Sequence, residues 1–443
     1  MVTLTVGEGE AAGELRAGPS PLREGVLRIL AAVLQITATV AIVRTLEPDT
    51  AGIYFKGFVI AYGLAALLRG KYELFAAHVF VGNSPQMRFG IPGRLLVRAL
   101  GIRVLIRSAI ACAILLVFTT DLDVVQTHLR PYLETYLPFV LAVPFATLAL
   151  LLASALRAVN RTLGSVLVAS YSMNIAILAG AYFAPPEDAL FVLSWAFFAG
   201  SVLMALTGVL ITRRVFKEAV TPGDVSTPRY PWAEVYASTS SNGLTGIALA
   251  GLQWGPACVL AIFGTDVGIA QYAVVYRTAQ IIDFLVPSVI LIPHSARFQS
   301  QLCEAMSTLR GKLAVDLAVS FSTTTAWVIA VAIITPWIVG LYGAPYTEVT
   351  ALFLLLYATQ WVLGGGRPAI RQMAADWDLP RIRRILLVSL AVAVLVTLIG
   401  VGGYGALAAA VGVLAGAVVE HAQALGAALR AGGARGGLRN QQG

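Results

Sequence analysis

The sequence predicts an all-α polytopic membrane protein: twelve transmembrane helices in two six-helix lobes, related by a pseudo-two-fold axis along the membrane normal. Three observations carry this reading. Of the 443 residues, 58% are hydrophobic and only 12% charged, and the apolar residues fall in long blocks parted by short polar loops. So much continuous apolar surface calls for lipid, and helices are the spanning form that satisfies their own backbone. Twelve blocks can be marked: 26–43, 51–68, 99–118, 137–156, 164–183, 189–211, 236–262, 267–292, 314–340, 350–366, 383–401 and 403–425. Finally, 25 of the 31 lysines and arginines fall on one side of a twelve-span layout and only Arg44 and Arg130 on the other. That asymmetry places both termini in the cytoplasm of a multi-pass cell-membrane protein.

Along the chain, residues 1–25 read as a cytoplasmic tail. The first twenty, MVTLTVGEGEAAGELRAGPS, lack the basic segment and apolar core of a signal peptide. The first lobe occupies 26–211. Its first span carries Gln35, Thr37 and Thr39 and no acid. Lys56 enters the second span, about 8 Å deep at 1.5 Å per residue. Arg103 and Arg107, four apart, share one face of the third. A linker at 212–235 follows, with three prolines, Pro222, Pro228 and Pro231. The second lobe occupies 236–425. Pro256 removes an amide donor from the seventh span, so a kink there is a candidate gate. The last two spans are divided at Gly402, and a basic Gly/Arg-rich cytoplasmic tail fills 426–443.

Two echoes support duplication. At a shift of 218 residues, Gln35 maps to Gln253 and Tyr54 to Tyr272. RPYLETYLPFVL, from Arg130 to Leu141, resembles APYTEVTALFLL, from Ala344 to Leu355. Six spans per lobe preserve orientation, so such repeats are parallel, with a substrate path between them.

Several function classes drop out. No Walker loop, nucleophile elbow or HExxH occurs, and the longest outer connection, about Thr119–Tyr136, is small for a catalytic domain, so the chain does not read as an enzyme. Cys112, Cys258 and Cys303 are isolated and form neither a disulfide framework nor a metal spacing. The net charge of +8 sits in membrane-flanking loops, so nucleic acid is not a partner. No cofactor is expected, although coupling to H+ or Na+ would need a carboxylate. Asp283, Asp316 and Glu420 are the acids within or beside spans, and Asp283 leads among them.

The focus falls on QYAVVYRTAQIID, from Gln271 to Asp283. Arg277 lies about ten residues into the eighth span, roughly 15 Å deep, near the midplane of a core about 30 Å thick. A charge there marks a functional site by default. Guanidinium stays protonated and forks onto phosphate oxygens, which suits an anionic cargo in a wet cavity. An ion pair with a neighbouring acid is the structural alternative. Lys56, on the corresponding helix of the other lobe, either snorkels to the interface or joins Arg277 at the cleft. Arg103 and Arg107 either snorkel to headgroups or admit a lipid diphosphate. Gln35 and Gln253 either bind sugar hydroxyls or tie helices together. Arg44 reads as a solvated loop charge beside Glu47 and Asp49.

VRTLEPDTAGIYFKGFVIAYGLAALL, from Val43 to Leu68, resembles the first loop and second span of polysaccharide flippases. These belong to the multidrug/oligosaccharidyl-lipid/polysaccharide exporter superfamily. TPWIVGLYGAPYTEVTALFLLLYA, from Thr335 to Ala358, resembles that family's connection between spans nine and ten. The resemblance implies a V-shaped pair of bundles working by alternating access. Its cargo would be an undecaprenyl-diphosphate-linked oligosaccharide moved from inner to outer leaflet, with polysaccharide polymerase or export components as possible partners. Related lipid II flippases carry an arginine on the eighth span in a basic cavity, and Arg277 lies one turn from the aligned position. Two other readings stand: a cation-coupled multidrug antiporter of the same superfamily, and a non-transporting component of a polysaccharide assembly complex.

Overall fold

The computed structural model describes residues 21–79, 93–120, 130–159, 161–217, 243–290, 309–346, 349–375 and 379–439. Among these, the regular structure is helical throughout. The first lobe holds α1 (Pro21–Thr45), α2 (Pro48–Val79), α3 (Gly93–Thr120), α4 (Arg130–Ala158), α5 and α6 (Ala189–Lys217). Helix α5 is composite: Thr162–Val166 runs through a π-helical turn at Leu167–Tyr171 into Ser172–Phe183. The second lobe holds α7 (Gly243–Phe263), α8 (Asp266–Ile290), α9 (Leu309–Tyr342), α10 (Thr350–Ala375), α11 (Leu379–Tyr404) and α12 (Ala406–Arg439). Among the described residues, ten helices are long and apolar enough to cross a membrane, and Thr350–Gly366 of α10 is a shorter apolar stretch.

The packing repeats. In the first lobe α1 packs on α5, α2 on α4, α3 on α4, α4 on α6, and α5 on α6. In the second, α7 packs on α11, α8 on α10, α9 on α10, α10 on α12, and α11 on α12. Each pairing maps onto its counterpart by adding six. The lobes meet along a seam in which α2 packs on α7 and α8, while α1 packs on α8. The sequence echo acquires a meaning here. Tyr54 on α2 and Tyr272 on α8 are both fully buried, whereas Gln35 is buried and Gln253 exposed.

Each lobe faces lipid with ordinary apolar stripes. Ile102, Ile106, Ile110 and Ile114 are exposed at four-residue spacing down α3, the period that keeps one helix face outward. Helix ends follow local chemistry. Pro48 opens α2 with Asp49 in its first turn, and Asp266 opens α8, as proline and acids favour N-termini. Gly343 (φ 101°) follows α9 and Gly405 (φ 49°) follows α11, both in the left-handed region that glycine enters without a Cβ penalty.

Some boundaries differ from those the sequence suggests. The break between the last two helices falls at Gly405 rather than Gly402, because Gly405 takes the positive φ while Gly402 and Gly403 stay in helix α11. Helix α12 continues to Arg439, through most of the stretch read as a tail, and α2 continues to Val79. The linker beyond Lys217 and the N-terminal tail up to Ser20 lie outside the described residues.

Candidate functional site

Arg277 projects from α8 into the first lobe and is buried, 7% exposed. Its Nε donates to Thr39 Oγ1 on α1 at 2.9 Å, and its Nη2 donates to Asn174 Oδ1 on α5 at 3.1 Å. The Thr39 hydroxyl donates in turn to the Gln35 carbonyl (2.8 Å), and Gln35 Nε2 donates to the Arg277 carbonyl (2.8 Å). These bonds close a ring joining α1 to α8. The i, i+4 spacing of Gln35 and Thr39 places both on one face of α1, so a single helix supplies both contacts.

Asn174 is held by its own back-bond. Its Nδ2 donates to the Ser170 carbonyl at 2.8 Å. Ser170 belongs to the π-helical turn, a distortion often found where a helix is shaped for function. Beneath the guanidinium lies the Phe58 ring, 5.0 Å from Arg277 Cζ to the centroid. Desolvated cation–π contacts of this kind contribute roughly 2 kcal/mol. Phe58 stacks on Tyr62 (4.7 Å), Tyr62 stacks on Trp254 of α7 (5.7 Å), and Phe58 meets Phe197 edge-on (5.6 Å). An aromatic cluster from both lobes thus floors the site.

The electrostatics are unusual. Among the described residues no carboxylate pairs with Arg277; neutral oxygens and a ring face surround it. Inserting an arginine at a span centre costs about 3 kcal/mol on translocon scales. Neutral acceptors reduce that cost but leave the positive charge in place. A guanidinium has five N–H donors, and the two described side-chain bonds use one on Nε and one on Nη2. The remaining donors are available to an anion if the seam parts.

The other basic candidates lie elsewhere. Lys56 Nζ is 2.6 Å from Asp266 Oδ1, an ion pair between α2 and the first turn of α8. Asp266 and Arg277 are eleven residues apart on α8, about 16 Å along the axis, so Lys56 and Arg277 occupy different depths. Arg103 is half-buried and Arg107 exposed, both on α3 and away from the seam. Gln253 is exposed on α7, and no described hydrogen bond joins it to the Arg277 ring. Helix α7 runs unbroken past the buried Pro256. The side chain of Asp283 lies outside the described residues.

Arg44 corrects the sequence reading. It is exposed, as a solvated charge would be, but it stands in the last turn of α1 and is tied down: Nε donates to the Leu341 carbonyl (2.7 Å) and Nη2 to the Gly340 carbonyl (3.2 Å). These are last-turn carbonyls of α9, which lack intrahelical partners and favour a cation. Arg44 and Lys56 therefore clasp the lobes at the membrane face where α1 ends and α2 begins. On the same face Gly52 leaves no room for a Cβ against the Asp266 carbonyl oxygen, and toward the opposite face Gly70 likewise leaves none against the Gly246 carbonyl.

Sequence reasoning missed Asn174, Phe58 and Trp254. A signal was present for one of them: Tyr54, Phe58 and Tyr62 recur at four-residue spacing on α2, one aromatic stripe facing the seam.

No protein-family model matches the chain, and no curated protein matches it. Among solved structures, the chain is similar to an inward-facing multidrug resistance MATE family transporter of the MOP superfamily. Identity there is 13%, coverage 93% of this chain and 98% of that one, and the TM-score 0.49. It is also similar to a mutant MATE transporter of Vibrio cholerae (12% identity, 93% and 97% covered, TM-score 0.47). A third likeness is to an outward-facing multidrug resistance MATE family transporter (15% identity, 95% and 97% covered, TM-score 0.43).

Proposed function

We propose that the chain is an alternating-access transporter of the multidrug/oligosaccharidyl-lipid/polysaccharide superfamily. Its cargo in this reading is an anionic, undecaprenyl-diphosphate-type lipid-linked sugar, moved from the inner to the outer leaflet. The observation that carries the proposal is Arg277: a guanidinium without a described carboxylate partner, buried where the two lobes meet. A fixed positive charge in a low-dielectric seam attracts a diphosphate and repels a cationic drug. Its neutral hydrogen-bond partners serve as placeholders, strong enough to hold the closed seam and weak enough for charged oxygens to displace. If the face clasped by Arg44 and Lys56 is the outer one, as the arginine distribution predicts, this conformation is shut toward the outside.

One observation is compatible with the second reading, cation-coupled multidrug antiport, as well as with the first. Glu420 on α12 is buried, 6% exposed. It lies one turn beyond Gly416, which packs against Leu252 and Ala393. A carboxyl inside the second lobe suits a coupling H+ or Na+, and such coupling also serves the first reading. The deciding experiment reconstitutes the purified protein in liposomes and compares flipping of a lipid-diphosphate sugar with uptake of cationic drugs. Sugar-lipid flipping without drug uptake supports the proposal. Drug uptake without flipping selects the antiporter, and neither activity selects a non-transporting assembly component.

A further inference from the structure

On the rim of the first lobe, away from the seam, α3, α4 and α6 enclose a groove of about 370 Å³. Along α3, Arg94, Val97, Arg98, Ile102 and Leu105 face it, spaced by three and four residues, which puts them on one helix stripe. Helix α6 contributes Val209, Arg213 and Phe216, and α4 adds Leu148 and Leu152. The groove is therefore divided by depth. Arginines 94, 98 and 213 stand at the end where α3 starts and α6 stops, and aliphatic side chains line the floor to Leu105. Arg94 to Leu105 is eleven residues, about 16 Å, the length of a headgroup with the first half of an acyl chain.

Arginines from two different helices converge above one apolar floor, which distinguishes this from an ordinary basic helix end. The three arginines are exposed, and no carboxylate among the described residues pairs with any of them. Phosphate oxygens are the acceptors that three guanidinium groups at one end of a groove favour.

We propose that this groove is a binding site for an anionic glycerophospholipid. Its phosphate sits among Arg94, Arg98 and Arg213, and one acyl chain lies over Val97, Ile102, Leu105 and Leu148. The charge pattern selects an anionic headgroup, and the apolar floor selects a tethered chain over a free ion. The site lies on the face that the arginine count assigns to the cytoplasm. It does not depend on the transported cargo.

Native mass spectrometry of the full-length protein in detergent tests it, with titrations of dioleoylphosphatidylglycerol, dioleoylphosphatidylcholine and inorganic phosphate. One phosphatidylglycerol should be retained at concentrations where phosphatidylcholine is not, and inorganic phosphate should not displace it. Each Arg→Gln change at 94, 98 or 213 should weaken retention about fivefold, the increment expected of one basic residue at an anionic surface. Leu152→Trp, which fills the floor and keeps every charge, should abolish retention in protein that remains monodisperse. Equal retention of phosphatidylcholine, displacement by inorganic phosphate, or undiminished binding by the triple Arg→Gln variant would each overturn the proposal.

Discussion

Arg277 Nε lies 2.9 Å from Thr39 Oγ1, and the bond crosses from the second lobe to the first. Thr39 is at once acceptor for the guanidinium and donor to the Gln35 carbonyl, so one hydroxyl relays the contact between α8 and α1. Removing it strands a buried charged donor. Thr39→Val should therefore lower unfolding stability by roughly 1–3 kcal/mol, while Thr39→Ser, which restores the hydroxyl, should recover most of that. Thermal unfolding of the two purified variants in one detergent provides the check. Equal melting of Val and Ser would show that the bond is energetically idle.

Asn174 gives a sharper test because its replacement can change charge without changing shape. Asn174→Asp places a carboxylate where Oδ1 now accepts from Nη2 at 3.1 Å. The pair would neutralise Arg277 and fasten the seam. Transport of an anionic cargo should fall at least about tenfold, the effect of losing one charge-assisted interaction, while thermal stability holds or rises. A variant that flips lipid-linked sugar at the normal rate would contradict a role for the uncompensated charge.

Much of this arrangement was legible in the residues. Block lengths and the lysine and arginine alternation gave the two-lobe architecture, because lipid enforces continuous apolar length. Arg277 stood out because a charge at span centre is expensive. Its partners did not stand out: Thr39 and Asn174 lie 238 and 103 residues away, and no local pattern encodes which helices meet. Lys56 and Arg277 seemed natural companions from duplicated helices. Yet depth along α8 separates them, since Lys56 engages Asp266 in the first turn. Arg44 was read only as a solvated charge because the carbonyls that it caps, Gly340 and Leu341, are nearly three hundred positions later.

The Lys56–Asp266 pair should contribute little stability and much geometry. Both side chains are partly exposed (19% and 36%), so a double-mutant cycle with Lys56→Gln and Asp266→Asn should give a coupling of about 0.2–1 kcal/mol. Lys56→Cys with Asp266→Cys tests the geometry. Oxidation should lock this face of the seam and stop transport, and a reductant should restore it. Full transport in the cross-linked protein would show that the lobes need not part there.

Glu420 is the described carboxyl that the second lobe buries most clearly. Glu420→Gln keeps its size and removes its ability to exchange a proton or bind Na+. Transport by the variant should become insensitive to imposed proton and sodium gradients. A response equal to that of the unmodified protein would move coupling to another group, with Asp283 first in line.

Flipping of a lipid-diphosphate sugar in liposomes by Arg277→Gln and Arg277→Lys, at matched insertion, bears most closely on the anionic-cargo assignment. Glutamine should lower the rate about tenfold to a hundredfold, consistent with losing charged hydrogen bonds worth roughly 1.5–3 kcal/mol. Lysine should recover only part of it, having the charge without the planar fork. Rates within about twofold of the unmodified protein for Arg277→Gln, near the edge of what 0.5 kcal/mol produces, would contradict the assignment and leave Arg277 a structural tie between lobes.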